Sequence, residues 1–165
     1  MSRLLASVAT AALIATTLPA LAEPLHVEAV MSPKEQMQLN FKDGSNHFVL
    51  LVRREGKAEG IGALAGTSVV EYGMHDIIPG VGGNPVGYLE MTAPNGDIAY
   101  INWHIGAVFV PGPAGKPMLL DNGYWQIVGG TGGLKDLVGA GTLHLKAVSS
   151  TDRRFILDGE VTRKH

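Results

Sequence analysis

Three short stretches concentrate the side chains able to move protons or orient oxygen atoms. The run Val69-Val70-Glu71-Tyr72-Gly73-Met74-His75-Asp76 carries Glu71, His75 and Asp76. Gly87-Tyr88-Leu89-Glu90-Met91 carries Tyr88 and Glu90, and Ala99-Tyr100-Ile101-Asn102-Trp103-His104 carries Tyr100, Asn102 and His104. An imidazole beside a carboxylate can take and return a proton near neutral pH, because histidine titrates there and a desolvated Glu is raised toward it. Glu71, His75 and His104 are therefore the candidate catalytic groups. Tyr88, Tyr100 and Asn102 would orient the oxygen of a bound carbonyl, epoxide or enol, and Trp103 and Trp125 would supply an apolar wall.

Strand parity groups these residues but does not aim them. In an extended chain, alternate side chains share a face, so Glu71 goes with His75, and Tyr100 with Asn102 and His104. The second set points either into a cavity or toward water and neighbouring subunits, the usual fate of alternating polar positions. His47, His75, His104 and His144 fall on four different expected strands and could converge as zinc or iron ligands do. They include no HxH or HExxH pair, so neither a metal nor another cofactor is expected. The chain has no Cys and no GxSxG elbow, which argues against nucleophilic hydrolysis.

The elements that must position these groups read as β-strands. Eight are expected, at about 25–31, 47–53, 67–76, 86–92, 97–110, 123–128, 141–148 and 154–161, separated by Gly, Pro, Asn and Asp clusters. The clearest alternation sets Ala99, Ile101, Trp103, Ile105, Ala107 and Phe109 against Ile98, Tyr100, Asn102, His104, Gly106 and Val108. Asn95-Gly96 marks a tight hairpin turn with a positive-φ pair. Ser32-Pro33-Lys34-Glu35 carries a capping Ser, Pro at the first helical position and Glu, and predicts one short helix reaching about Leu39. Stretches 77–85 and 111–122 read as end loops. Eight antiparallel strands close naturally into a barrel, which leaves no unpaired edge and an interior just wide enough for side chains or one small ligand.

The first 22 residues stand apart from this pattern. Arg3, an almost wholly apolar or small run from Leu4 to Leu18, and Ala20-Leu21-Ala22 before Glu23 have the form of a secretory signal peptide. Residues 23–165 are then expected to be a single barrel domain in the periplasm or outside the cell. Without cysteine, the fold must be held by burial alone. The formal net charge of −2 and the lack of a basic block argue against nucleic acid or anionic lipid as a partner. An outer-membrane barrel would need aromatic girdles, and 6% aromatic residues fits that poorly. No membrane insertion is expected.

The most distinctive segment is Tyr124 to Leu145, YWQIVGGTGGLKDLVGAGTLHL. It is not a phosphate loop, since Lys135 follows Leu134 and precedes Asp136. It resembles the allene oxide cyclase and dirigent protein superfamily of calycin-like small β-barrels, whose members carry a pattern like GGTGxFxxAxG between two strands. Gly129, Gly130, Thr131, Gly132 and Gly139 match, while Leu134 replaces the usual aromatic and Leu137 the alanine. The resemblance implies a barrel that holds a hydrophobic small molecule and steers cyclisation or radical coupling, often as a trimer and without a cofactor. The family's catalytic residues lie outside the matching segment, and the cysteine of the plant cyclase pocket has no counterpart here.

These readings converge on an exported barrel that binds a hydrophobic, oxygenated small molecule. It would guide isomerisation, cyclisation or elimination by acid–base chemistry, as a cofactor-free isomerase or lyase and as a homodimer or homotrimer. Two alternatives share the fold: a non-catalytic carrier, and a structural barrel with a filled interior. Side-chain direction discriminates among them.

Overall fold

Period-two alternation governs nearly the whole chain. The computed structural model describes residues 21–164; the expected leader lies outside the described residues except for Leu21 and Ala22, which precede the first strand. The strands run β1 (Glu23–Asn40), β2 (Phe48–Ile61), β3 (Ser68–Ile78), β4 (Gly82–Gly83), β5 (Val86–Thr92), β6 (Ile98–Pro111), β7 (Pro117–Gly130), β8 (Leu137–Ala147) and β9 (Arg153–Arg163). Eight of them form a closed antiparallel barrel. β1 pairs with β2, then β3, β5, β6, β7, β8 and β9 follow in order, and β9 returns to β1. The two-residue β4 bridges β3 and β6 at one rim.

The expected helix does not form; residues 32–39 continue β1. Ser32 and Pro33 pair with Glu55 and Arg54, Glu35 pairs with Arg53, and Lys34 is the extra residue of a bulge. A single isolated turn of helix is unfavourable to nucleate, whereas β2 offers a ladder along the whole segment. The bulge also accommodates Pro33, which has no N–H to give. Among the described residues no α-helix occurs, only 3-10 turns at Pro113–Gly115 and Gly132–Leu134. The hairpin at Asn95-Gly96 also differs from expectation. Gly96 alone has positive φ, and Gly96 N–H donates to Ala93 O, a turn that Pro94 pre-sets.

Inward positions form a core from one end of the cylinder to its middle. Leu25, Val27, Met31, Leu89, Ile101, Trp103, Trp125, Leu143, Phe155 and Leu157 are buried there. Two loops close that end. Leu64 of the β2–β3 loop is fully buried, with Thr67 Oγ1 donating to its carbonyl, and Leu134 enters from the glycine-rich segment. That segment is fixed at its root: Thr131 N–H donates to Ile98 O, Ile98 N–H donates back to Thr131 Oγ1, and Gly133 N–H donates to Asp97 Oδ2. The family-like motif is thus a structural cap. At the other end, inward-facing Leu50 and Phe109 are partly exposed and Leu119 is 41% exposed.

A Cβ on Gly130 would press on the backbone carbonyls of Leu134 and Ile98. Gly130→Val should therefore lower stability by more than the ~1 kcal/mol typical of point mutants. Thermal unfolding checks this, and an unchanged midpoint would show that the cap tolerates the added methyl groups.

Candidate functional site

The lumen carries charge between its apolar floor and the end where Leu50, Phe109 and Leu119 are partly exposed. Arg54 on β2 and Glu71 on β3 are register partners, and both point inward. Arg54 is 5% exposed and Glu71 fully buried. Arg54 Nη1 donates to Glu71 Oε2 at 2.7 Å, and His75 Nε2 lies 3.0 Å from Glu71 Oε1. The same Nε2 lies 3.2 Å from Arg54 Nη1. Protonated, Nε2 donates to Glu71; deprotonated, it accepts from Arg54. Each protonation state of that one atom has a partner already in place.

Gly73 makes this contact possible. It lies between Glu71 and His75 on the inward face, and a Cβ there would collide with Glu71 Oε1 and stand 2.9 Å from His75 Nε2. Trp103 forms the wall on the floor side, its ring centroid 5.7 Å from that of His75 and 6.1 Å from that of Phe155. Trp103 Nε1 and Arg54 Nε are buried without a hydrogen-bond partner. Trp125 is equally buried but satisfied, donating to the carbonyl of Asp158 at 3.2 Å. It belongs to the packed core.

Two more charged groups face the same space. Asp121 on β7 is in register with Ala107 and Leu145, and Arg153 on β9 with Met31 and Ala147. Burial pushes the Asp121 carboxyl above the ordinary carboxylate range, against opposing pulls from His75 and Arg153. Burial, then repulsion from Arg54, draws the Arg153 guanidinium below its usual value, with Asp121, Asp152 and Glu71 acting the other way.

The structure does not bring His104, Tyr88, Tyr100 or Asn102 to this group. Trp103 and Leu89 point inward, so their neighbours in sequence point out. Tyr88 and Tyr100 are exposed, Asn102 and His104 half-buried on the outer wall. His104 Nε2 donates to Asn102 Oδ1 at 3.0 Å, and its ring stacks on Tyr124 with centroids 5.0 Å apart. All four tyrosines of the chain lie on this wall. With Met37, Leu51, Met74, Val86 and Val128, Tyr72, Tyr88 and Tyr100 border two open hollows of about 620 and 370 Å³. The four histidines considered as metal ligands diverge. His75 is in the lumen, His104 pairs with Asn102, His47 with Asp76 at 2.5 Å, and His144 with Asn122. Among the described residues no cluster of three or more metal-ligating groups occurs.

Sequence reasoning missed Arg54, Asp121, Arg153 and Gly73. Parity could have found them: Arg54 is in phase with Val52 and Ala58, Asp121 with Gly123 and Trp125, and Arg153 with Phe155 and Leu157.

No family model matches the chain, and no curated protein matches it significantly. Solved structures do share its fold. The pterocarpan synthase dirigent protein GePTS1 superposes with a TM-score of 0.53 at 14% identity, covering 94% of this chain and 98% of that one. A β-barrel-like protein from Acinetobacter baumannii AYE gives 0.52 at 11% identity, over 91% and 100%. A conserved protein of unknown function from Rhodopseudomonas palustris gives 0.51 at 14% identity, over 88% and 99%. The chain therefore has the closed-barrel fold of the dirigent proteins.

Removing one partner of a buried ion pair costs about 3–5 kcal/mol, while replacing both by hydrocarbon can be neutral. Arg54→Met should accordingly unfold at lower denaturant, and Arg54→Met/Glu71→Leu should recover most of the loss. A double variant no more stable than the single one would show that the pair does not act as a unit. The raised Asp121 carboxyl stabilises the native state fully below the ordinary carboxylate pKa, and that contribution is lost as pH rises through its folded value. The melting temperature of Asp121→Asn relative to the parent should therefore increase between about pH 4 and pH 8; a constant difference would refute the shift.

Proposed function

We propose that this chain is an exported barrel that receives a hydrophobic, oxygenated small molecule through its open end. There His75 and Glu71 move protons on it, guiding isomerisation, cyclisation or elimination. The observation that carries this reading is the double placement of His75 Nε2, against Glu71 Oε1 and against Arg54 Nη1. A group that cycles between protonated and neutral forms needs both to be tolerable in a buried site, and here each has a hydrogen-bond partner. Arg54 holds Glu71 in place as a positioning residue. Trp103 offers an apolar wall with an unused N–H.

The dirigent-type fold supports the small-molecule reading by analogy, since GePTS1 is described as a pterocarpan synthase. The leader-like first 22 residues support export to the periplasm or beyond. The tyrosine-rich outer wall supports assembly with further copies of the chain, because large contiguous apolar patches mark interaction surfaces.

Native mass spectrometry of protein purified from its own host tests these points together. A chain beginning at Glu23, a dimer or trimer, and a non-covalent organic adduct are the expected results. Returned to the protein in D2O, the released compound should exchange an acidic C–H. Glu71→Gln and His75→Gln should slow that exchange by at least about a hundredfold while retaining the adduct. An adduct whose exchange ignores both variants would make the barrel a carrier. The absence of any adduct would favour a structural barrel.

A further inference from the structure

The lumenal cluster leaves buried polar atoms without hydrogen-bond partners. Arg54 uses Nη1 on Glu71 and His75, and its buried Nε has no partner. Arg153 enters the same space from β9, anchored by Nη1 to the carbonyls of Ser149 and Asp152 at 3.2 and 2.9 Å. Two guanidiniums thus face one fully engaged carboxylate, Glu71, and a second, Asp121, whose Oδ1 is buried and unpartnered. Burial favours the neutral form of Asp121, which would leave two guanidiniums facing a single charged carboxylate, and Arg153 is depressed by burial and then by Arg54. A guanidinium stripped of water needs an anion or a set of acceptors, and its planar fork suits a carboxylate above other oxygen anions.

Resting on the lumenal reading above, we infer that the molecule this barrel takes is an organic carboxylate, its charged end seated between Arg54 Nε and Arg153 with Asp121 Oδ1 as a third contact. In its neutral form Asp121 donates a hydrogen bond to that carboxylate, so the two atoms left without partners, Arg54 Nε and Asp121 Oδ1, are completed by one ligand group, with Arg153 adding its charge. The hydrocarbon part then lies toward Leu50, Phe109 and Leu119 at the open end. The His75–Glu71 pair keeps its own hydrogen bond and stays beside the carboxylate for proton transfer to neighbouring atoms. This makes Arg153 and Asp121 specificity-determining residues rather than proton-transfer groups.

The probes are 4-phenylbutyrate and its neutral counterpart 4-phenylbutanol, followed by calorimetry and by the NMR signals of the Trp103 indole N–H and the Arg54 Nε–H. The acid should bind at least about tenfold more tightly than the alcohol and shift both signals. Arg153→Gln should erase that preference by weakening the acid alone. Arg153→Lys, which keeps the charge without the fork, should retain part of it, and Asp121→Asn, which keeps a neutral donor, most of it. Lumenal binding with no preference for the acid, or a preference that survives Arg153→Gln, overturns the inference and leaves the lumenal reading intact. Failure of both probes to shift the Trp103 signal, with both binding elsewhere, overturns the lumenal reading and this inference together.

Discussion

A charge that points into a closed cylinder has nowhere else to go. On an open sheet a long polar side chain can curl around an edge to water, but here each strand has a neighbour on both sides and that route is shut. Arg54 and Glu71 are register partners on adjacent strands and meet inside because closure obliges them to. Their ion pair fixes the Glu71 carboxylate, the carboxylate fixes the His75 imidazole, and Gly73 exists between them as the space they share. Parity, charge and the absence of one side chain act as a single constraint. The chemistry proposed for the lumen follows from it.

The same constraint explains what could be read from the amino-acid sequence and what could not. The eight strands and their closure were legible because alternation over Ile98–Val110 and Arg154–Val161 is long and regular, and because glycine and proline punctuate it. Residues 32–39 misled, since Ser-Pro-Lys-Glu carries local helix signals and nothing local reveals that β2 will pair with it. Glu71 and His75 were legible as a pair from spacing alone. His104, Tyr100 and Asn102 share the same kind of spacing, yet lie outside because Trp103 is the larger apolar group and takes the interior. Arg54 escaped notice because an Arg-Arg doublet in a strand reads as a solvated edge. Only knowledge of which face is inward separates Arg54 from Arg53, which pairs with Glu55 on the outside.

The outer wall is divided in character. One side, over β2, β3, β5, β6 and β7, presents the tyrosines with Leu51, Met74 and Val86. The other, over β1, β9 and the end of β2, presents His26, Glu28, Lys57, Glu59, Arg154 and Asp158, including His26 paired with Asp158. Hydrogen bonding to Asp158 raises the His26 pKa, as befits an exposed, charge-rich surface. Residues that sequence reasoning assigned to a ligand thus belong to two different surfaces, an interior one with Glu71, His75 and Trp103 and an exterior one with Tyr88, Tyr100, Asn102 and His104. Sharing a fold with dirigent proteins at 14% identity or less speaks to the cylinder and not to either surface.

Leu64 and Leu134 seal the far end, so the vessel is blind. On the function proposed above, nothing could thread through it, and arrival and departure would use one doorway. A ligand admitted there would leave by reversing the path it took in, head last where it went head first. Such a geometry suits a compact molecule, or the terminus of a longer one, and is closed to the middle of a polymer. It also means that a tightly held product would block the next arrival outright, so the rate of turnover would be set by how easily the rim lets go.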